Sequence, residues 1–218
     1  GLLEAADYEL QPGPGHAVDA IIHEAQTHPG ETWLVAIGPL TNIALALLKE
    51  PALASLLAGI TIMGGVAGGA NAPDLPPTEH NFRSDPQAAR VVLAAGIPLH
   101  LVPLDVTVEV RIDASGVAAI AAVGDPFHDA VALQVELYPK YRARGSWTYL
   151  HDPLALATVV VPDLVWWEPC RAEVQVGPVQ NPGRLAVEPA LDGHVRIARK
   201  VDAARARDFI LKRLIRPL

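Results

Sequence analysis

One cysteine, Cys170, stands in 218 residues, which excludes a disulfide framework and a cysteine-bound metal. Its neighbours Trp167 and Pro169 point to packing instead of an activated thiol, and a reducing cytoplasm suits such a chain. No apolar run reaches the roughly eighteen residues of a membrane span, and no leader peptide is visible. Charge is sparse at 19% and tilted to acid, with a formal net charge of -7. That balance argues against nucleic acid or an anionic membrane as a partner. The few clustered basic residues, Lys212, Arg213 and Arg216, read as a solvated helix face. Methionine occurs only as Met63, so Gly1 reads as a boundary set by processing or gene prediction. A Gly-x-Ser-x-Gly elbow, a phosphate-binding Gly-x-x-x-x-Gly-Lys and a His-x-x-x-His pair are all missing, which argues against a serine nucleophile elbow, a nucleotide-binding P-loop and a two-histidine metal site.

What is present is apolar surface. Half of the residues are hydrophobic, ample for a core, and the shortage of charge means that helices and strands are buried on more than one side. A layered α/β fold with an open, mostly parallel sheet follows. The spacing predicts a helix from His16 to about Thr27, a strand over Thr32–Ile37 and a helix over Thr41–Lys49 with Thr41 as its cap. A strand over Gly59–Met63 is followed by a glycine-rich loop from Gly64 to Ser84. Asp85-Pro86 opens a helix to about Ala95, since an acidic cap before proline is a strong start signal. A strand over Ile97–Leu104 comes next, with helices near Ala114–Ala122 and Pro126–Tyr141. A loop centred on Gly145–Tyr149 leads to His151-Asp152-Pro153 and a further apolar helix. Ala172–Val176, Arg184–Val187 and His194–Ile197 read as short antiparallel strands near the C-terminus, before a helix over Ala203–Leu214. Trp166-Trp167 read as core.

Chemistry-bearing residues gather in the loops. Asn71, Glu79 and Asn81 can each make two directed hydrogen bonds, which suits vicinal hydroxyls of a sugar. They serve equally well as loop residues bonded to their own backbone. Gly64, Gly65, Gly68 and Gly69 either bring amides near a ligand or simply turn the chain. Asp85 reads as a helix cap. His151-Asp152 at a helix start offers a proton donor beside an anionic metal ligand, or a structural corner. Tyr138, Tyr141, Trp147 and Tyr149 could stack on a flat base or pack as core and rim. His80, His100, His128 and His194 have no metal-ligand spacing.

Taken in order, Gly38-Pro39-Leu40-Thr41-Asn42, Ile62-Met63-Gly64-Gly65, the Asn71/Glu79/Asn81 loop into Asp85-Pro86, Leu104-Asp105-Val106-Thr107 and His151-Asp152-Pro153-Leu154-Ala155 resemble the inosine/uridine-preferring nucleoside hydrolases. The resemblance runs over essentially the whole chain. It implies a Rossmann-like parallel sheet and one nucleoside hydrolase-like domain over 1–218, with hydrolysis of the N-glycosidic bond of a ribonucleoside to base and ribose. It further implies a Ca²⁺ ion with Asp152 and the Ile37 carbonyl among its ligands. Asn71, Glu79 and Asn81 would bind ribose hydroxyls, and His151 would be the leaving-group acid. Tyr138, Tyr141 and Trp147 would lie near the base. A homo-oligomer is a further expectation.

The sequence departs from that pattern in one major respect. The family's Asp-x-Asp-x-Gly-x-Asp-Asp motif has no counterpart, since Asp7-Tyr8-Glu9 has the wrong spacing and no glycine. The expectation is therefore a domain incomplete at its amino-terminal side, with amino-terminal strands missing. His80 also stands where the family has an aromatic residue. A non-catalytic remnant of the fold, acting as a binding or structural protein, is the alternative reading.

Overall fold

The computed structural model describes residue 13 and residues 15–68 and 74–216. In chain order the elements run α1 (Ala17–Thr27), β1 (Trp33–Ala36), α2 (Thr41–Lys49), α3 (Leu53–Leu56), β2 (Gly59–Met63), α4 (His80–Ser84), α5 (Pro86–Leu93), β3 (Leu99–Val102) and α6 (Leu104–Thr107). They continue with β4 (Arg111–Asp113), α7 (Ala114–Ala121), α8 (Pro126–Leu137), α9 (Pro139–Ala143), β5 (Trp147–Tyr149) and α10 (His151–Val160). The last are β6 (Val165–Val174), β7 (Leu185–Pro189), β8 (Val195–Val201) and α11 (Ala203–Leu214).

One sheet in the order β1-β2-β3-β8-β6-β7 is the frame. Its first four strands are parallel, and β6 and β7 continue it antiparallel. Alternation divides the strands cleanly between two layers. Ile60, Ile62, Leu99, Leu101, Val195 and Ile197 belong to a core with α2 and α5, while Met63, Val102 and Ala198 belong to a second core with α10 and α11. All five residues of β2 are buried, as expected of a strand with paired neighbours on both sides.

The second face also carries a row of rings. Trp33 on β1 lies over Gly59, where an added Cβ would meet the indole at 2.6 Å. Its Nε1 donates to Thr61 Oγ1 at 2.9 Å. Its ring centre is 5.2 Å from that of His100 on β3, which in turn stacks at 4.4 Å on Trp167 of β6. Burial, then the positive charge of Arg196, lowers the His100 pKa.

Most expected elements form, and the differences have local causes. The long helix to Tyr141 breaks at Tyr138, held at φ -64°, ψ 119° because the following Pro139 disfavours helical backbone before it. Pro103 ends β3 early and starts α6. Thr41 is the first helical residue of α2, not its cap. Leu40 holds that position, and the Thr41 hydroxyl donates to Asp85 Oδ2 at 2.6 Å. Trp147–Tyr149 is a strand paired with β4, a contact between distant segments that local spacing does not announce. Trp166 and Trp167 lie on β6 at a bulge, and Trp166 is 57% exposed instead of core. Of the three late strands, β8 enters the parallel part of the sheet beside β3. Cys170 is fully buried on β6, and burial raises its thiol pKa.

Gly64 is required by packing alone. A Cβ there would stand 2.5 Å from the ring of Phe82, which is fully buried and anchors α4. Gly64→Ala should therefore lower stability by about 1–3 kcal/mol through overpacking. A urea midpoint equal to that of the native sequence would contradict this arrangement.

Candidate active site

The carboxyl ends of β1, β2 and β3 open into a cleft of about 850 Å³. This is the edge at which an open α/β sheet can present loop residues to a ligand. Ile37 follows β1, Met63 ends β2, and Glu79 and Asn81 come from the start of α4. His151 and Asp152 come from the first turn of α10, and all six line the cleft.

Glu79 and Asn81 are fixed by their own fold. Glu79 caps α4, its Oε1 accepting from Asn81 N at 2.7 Å and its Oε2 from Phe82 N at 3.1 Å. Oε2 also accepts from Gly65 N at 3.3 Å, in the turn after β2. A carboxylate offers about four acceptor positions, so roughly one is left for a ligand hydroxyl. Asn81 Nδ2 donates to the Met63 carbonyl at 3.0 Å, tying the residue to the strand end. Both side chains are buried. Gly64 and Gly65 thus serve packing and capping. Asn71 lies outside the described residues.

The loop after β1 is tied to the same scaffold. Asp85 caps α5 through Oδ1, which accepts from Ala88 N at 3.0 Å, while Oδ2 receives the Thr41 hydroxyl. The turn Gly38-Pro39 between them leaves Ile37 51% exposed at the cleft.

His151 and Asp152 form the other wall. Thr107 Oγ1 is 2.7 Å from His151 Nδ1, which leaves Nε2 as the ring atom free to meet a ligand. Burial, then the charges of Arg144 and Lys140, push the imidazole down to about 4. At neutral pH the ring is uncharged. Asp152 moves the other way: burial, then the negative charge of Glu79, raises its pKa. Two carboxylates therefore interact across a partly desolvated cleft, an arrangement that favours a cation. Among the described residues no group of three or more His, Cys, Asp or Glu could hold a metal ion.

The aromatic residues separate. Tyr138 and Tyr149 line the cleft. Tyr141 is buried in the second core, and Trp147 borders a different cavity with Arg111 and Asp113. Thr107, Lys140 and Arg144 were not expected in functional roles. Thr107 stood within a recognised motif, but its distance from His151 is a tertiary fact. His128 and His194 serve structure, bonded to Asp125 and to the Leu93 carbonyl.

The sequence profile of the inosine-uridine preferring nucleoside hydrolase family matches residues 1–208, and the chain belongs to that family. It is 33% identical over 157 residues to the pyrimidine-specific ribonucleoside hydrolase RihA of Salmonella schwarzengrund, covering 70% of this chain and 50% of that protein. The chain thus spans about half the length of the curated relatives it matches. Its fold superposes with a TM-score of 0.84 on a purine-preferring ribonucleoside hydrolase from Gardnerella vaginalis, at 27% identity, over 94% of this chain and 67% of the other. A plant nucleoside hydrolase, PpNRh1, gives the same score at 25% identity, over 95% of this chain and 69% of the other.

The lowered His151 value has a measurable consequence. The unfolded chain takes up this proton near pH 6.5 and the folded chain only near 4, so acid favours unfolding between those values. Stability from this group is present above pH 6.5 and lost as the pH falls toward 4. Asp152, raised above its ordinary 3.8, has the opposite sign: its contribution is full below that value and lost as the pH rises through its folded value. In an NMR titration the His151 ring should stay neutral to about pH 5, and His151→Gln should flatten the acid limb of the stability curve. An inflection near 6.5 would show a solvated ring instead.

Proposed function

We propose that this chain is a nucleoside hydrolase-like domain that hydrolyses the N-glycosidic bond of a ribonucleoside, releasing base and ribose. What carries this reading is the convergence, in one cleft, of Glu79, Asn81, the residue Ile37, His151 and Asp152. They are the residues at which family motifs stand, apart from Asn71. A cytoplasmic setting and a homo-oligomer are part of the same proposal.

In this reading Asn81 and the remaining acceptor position of Glu79 bind ribose hydroxyls, with Asn71 as a third group. Because both described side chains are held by backbone bonds, they meet the sugar with little loss of freedom on binding. His151, held by Thr107 at Nδ1, faces the leaving base through Nε2. As an uncharged ring it acts by hydrogen bonding, with a tautomer that carries the proton on Nε2. Asp152 and the Ile37 carbonyl would hold a calcium ion, and the shared negative charge of Asp152 and Glu79 fits a cation. Two such donors fill only part of a shell of about six to eight oxygens, so the others come from ligand, water and groups outside the described residues. When bound, calcium makes a water more acidic and orients the ribose diol.

Calorimetric titration with calcium, beside inosine and uridine hydrolysis in the same buffer, tests the proposal. Asp152→Ala should lower turnover by about a hundredfold or more. Asn81→Ala should raise KM by about tenfold with a smaller effect on kcat. Unchanged turnover in Asp152→Ala would remove that residue from its role. Neither calcium uptake nor base release by the chain would favour the binding or structural role on the same fold.

A further inference from the structure

The turn between α9 and β5 carries unusual backbone. Gly145 has φ 79° and Ser146 has φ 66°, the one non-glycine residue with positive φ among the described residues. Such a conformation is strained for a residue with a side chain and persists only where surroundings enforce it. Here Ser146 N donates to the Tyr141 carbonyl at 3.0 Å, and the buried Tyr141 side chain bonds that of Ser146. The turn folds Arg144 back over β5, where its guanidinium carbon is 4.5 Å from the centre of the Tyr149 ring and 5.1 Å from that of Trp147.

So placed, Arg144 is half-buried at the mouth of the cleft. It also lines an adjoining lobe of about 350 Å³ with Tyr138, Lys140, Tyr149, His151 and Asp152. Arg171, Arg199, Arg205 and Arg207 each pair with a carboxylate. No carboxylate pairs with Arg144 among the described residues. Arg144 is held over two rings instead, and an anionic ligand in the lobe would supply the paired oxygen or nitrogen acceptors that the rings do not. The guanidinium is planar, carries parallel N–H donors and lies beside an aromatic wall.

We propose that Arg144 is an anion-recognition group that holds the departing base as its anion, a role that rests on the nucleoside-hydrolase reading above. When the C–N bond breaks, its electron pair goes to the ring nitrogen and the charge spreads to the adjacent ring carbonyl. That nitrogen and oxygen can accept the two parallel N–H bonds of the guanidinium. Water supplies the hydroxyl that the sugar carbon gains, and the proton it loses ends on the released base. Lys140 adds a second positive charge to the lobe, and Asp152 is the one acidic residue lining it.

The test is binding and needs no turnover. The full chain is titrated calorimetrically with 5-nitrouracil, an anion at neutral pH, and with neutral uracil. The anion should bind about tenfold more tightly, the difference one charge-assisted hydrogen-bonded pair supplies. Arg144→Met should remove the preference, and Arg144→Lys should keep part of it, with circular dichroism confirming that both variants fold. Equal affinities, a preference that survives in Arg144→Met, or no binding of either base would each overturn the proposal. Anion preference in a chain that hydrolyses neither inosine nor uridine would sustain the anion site while overturning the hydrolase reading.

Discussion

The carboxylate of Glu79 is the joint on which the candidate site depends. It accepts backbone N–H groups from Asn81 and Phe82 in α4 and from Gly65 after β2. A short helix of five residues has little stability of its own, so its orientation comes from that cap and from the buried Phe82 ring. Phe82 in turn occupies the space that Gly64 leaves open. The chain therefore fixes α4 against the sheet with one charge, one ring and one missing side chain. Asn81 is placed by the same device and bonds back to the Met63 carbonyl.

The cleft built on this joint holds charge of both signs. Burial, then the negative charge of Glu79, raises Asp152. Burial, then the positive charges of Arg144 and Lys140, lowers His151. A sugar held through a cation and a base released with negative charge would each meet groups of complementary charge. Neither polarity follows from composition. It arises because tertiary packing brings Lys140 and Arg144 to the cleft that Glu79 and Asp152 also line.

Much of this was legible in the sequence, for identifiable reasons. Thr41–Lys49 and Ala203–Leu214 form helices over the residues their apolar spacing predicts, and Asp85-Pro86 starts α5 because both its signals are local. Glu79, Asn81, His151 and Asp152 could be named because each stands in a short motif. Arg144 and Thr107 could not be assigned roles. Thr107 acquires one only when α6 lies against α10, and Arg144 only when the strained turn at Ser146 folds back. Tyr141 shows the converse: its spacing from Tyr138 suggests a shared role, but the break at Pro139 sends one ring to the cleft and the other to the core. Trp166 was misplaced because it stands exposed at a bulge of β6, whereas Trp167 packs against the second core as expected.

The ring row Trp33–His100–Trp167 runs across the sheet from strand to strand. It joins β1 to β6 although β2, β3 and β8 lie between them in the hydrogen-bonded order. Backbone ladders resist sliding along a strand but bend readily between strands, whereas stacked rings resist that bending. The row therefore acts as a transverse brace. A load on the short strand β1 reaches the long strand β6 through His100 of β3, so the three strands would yield together under mechanical force.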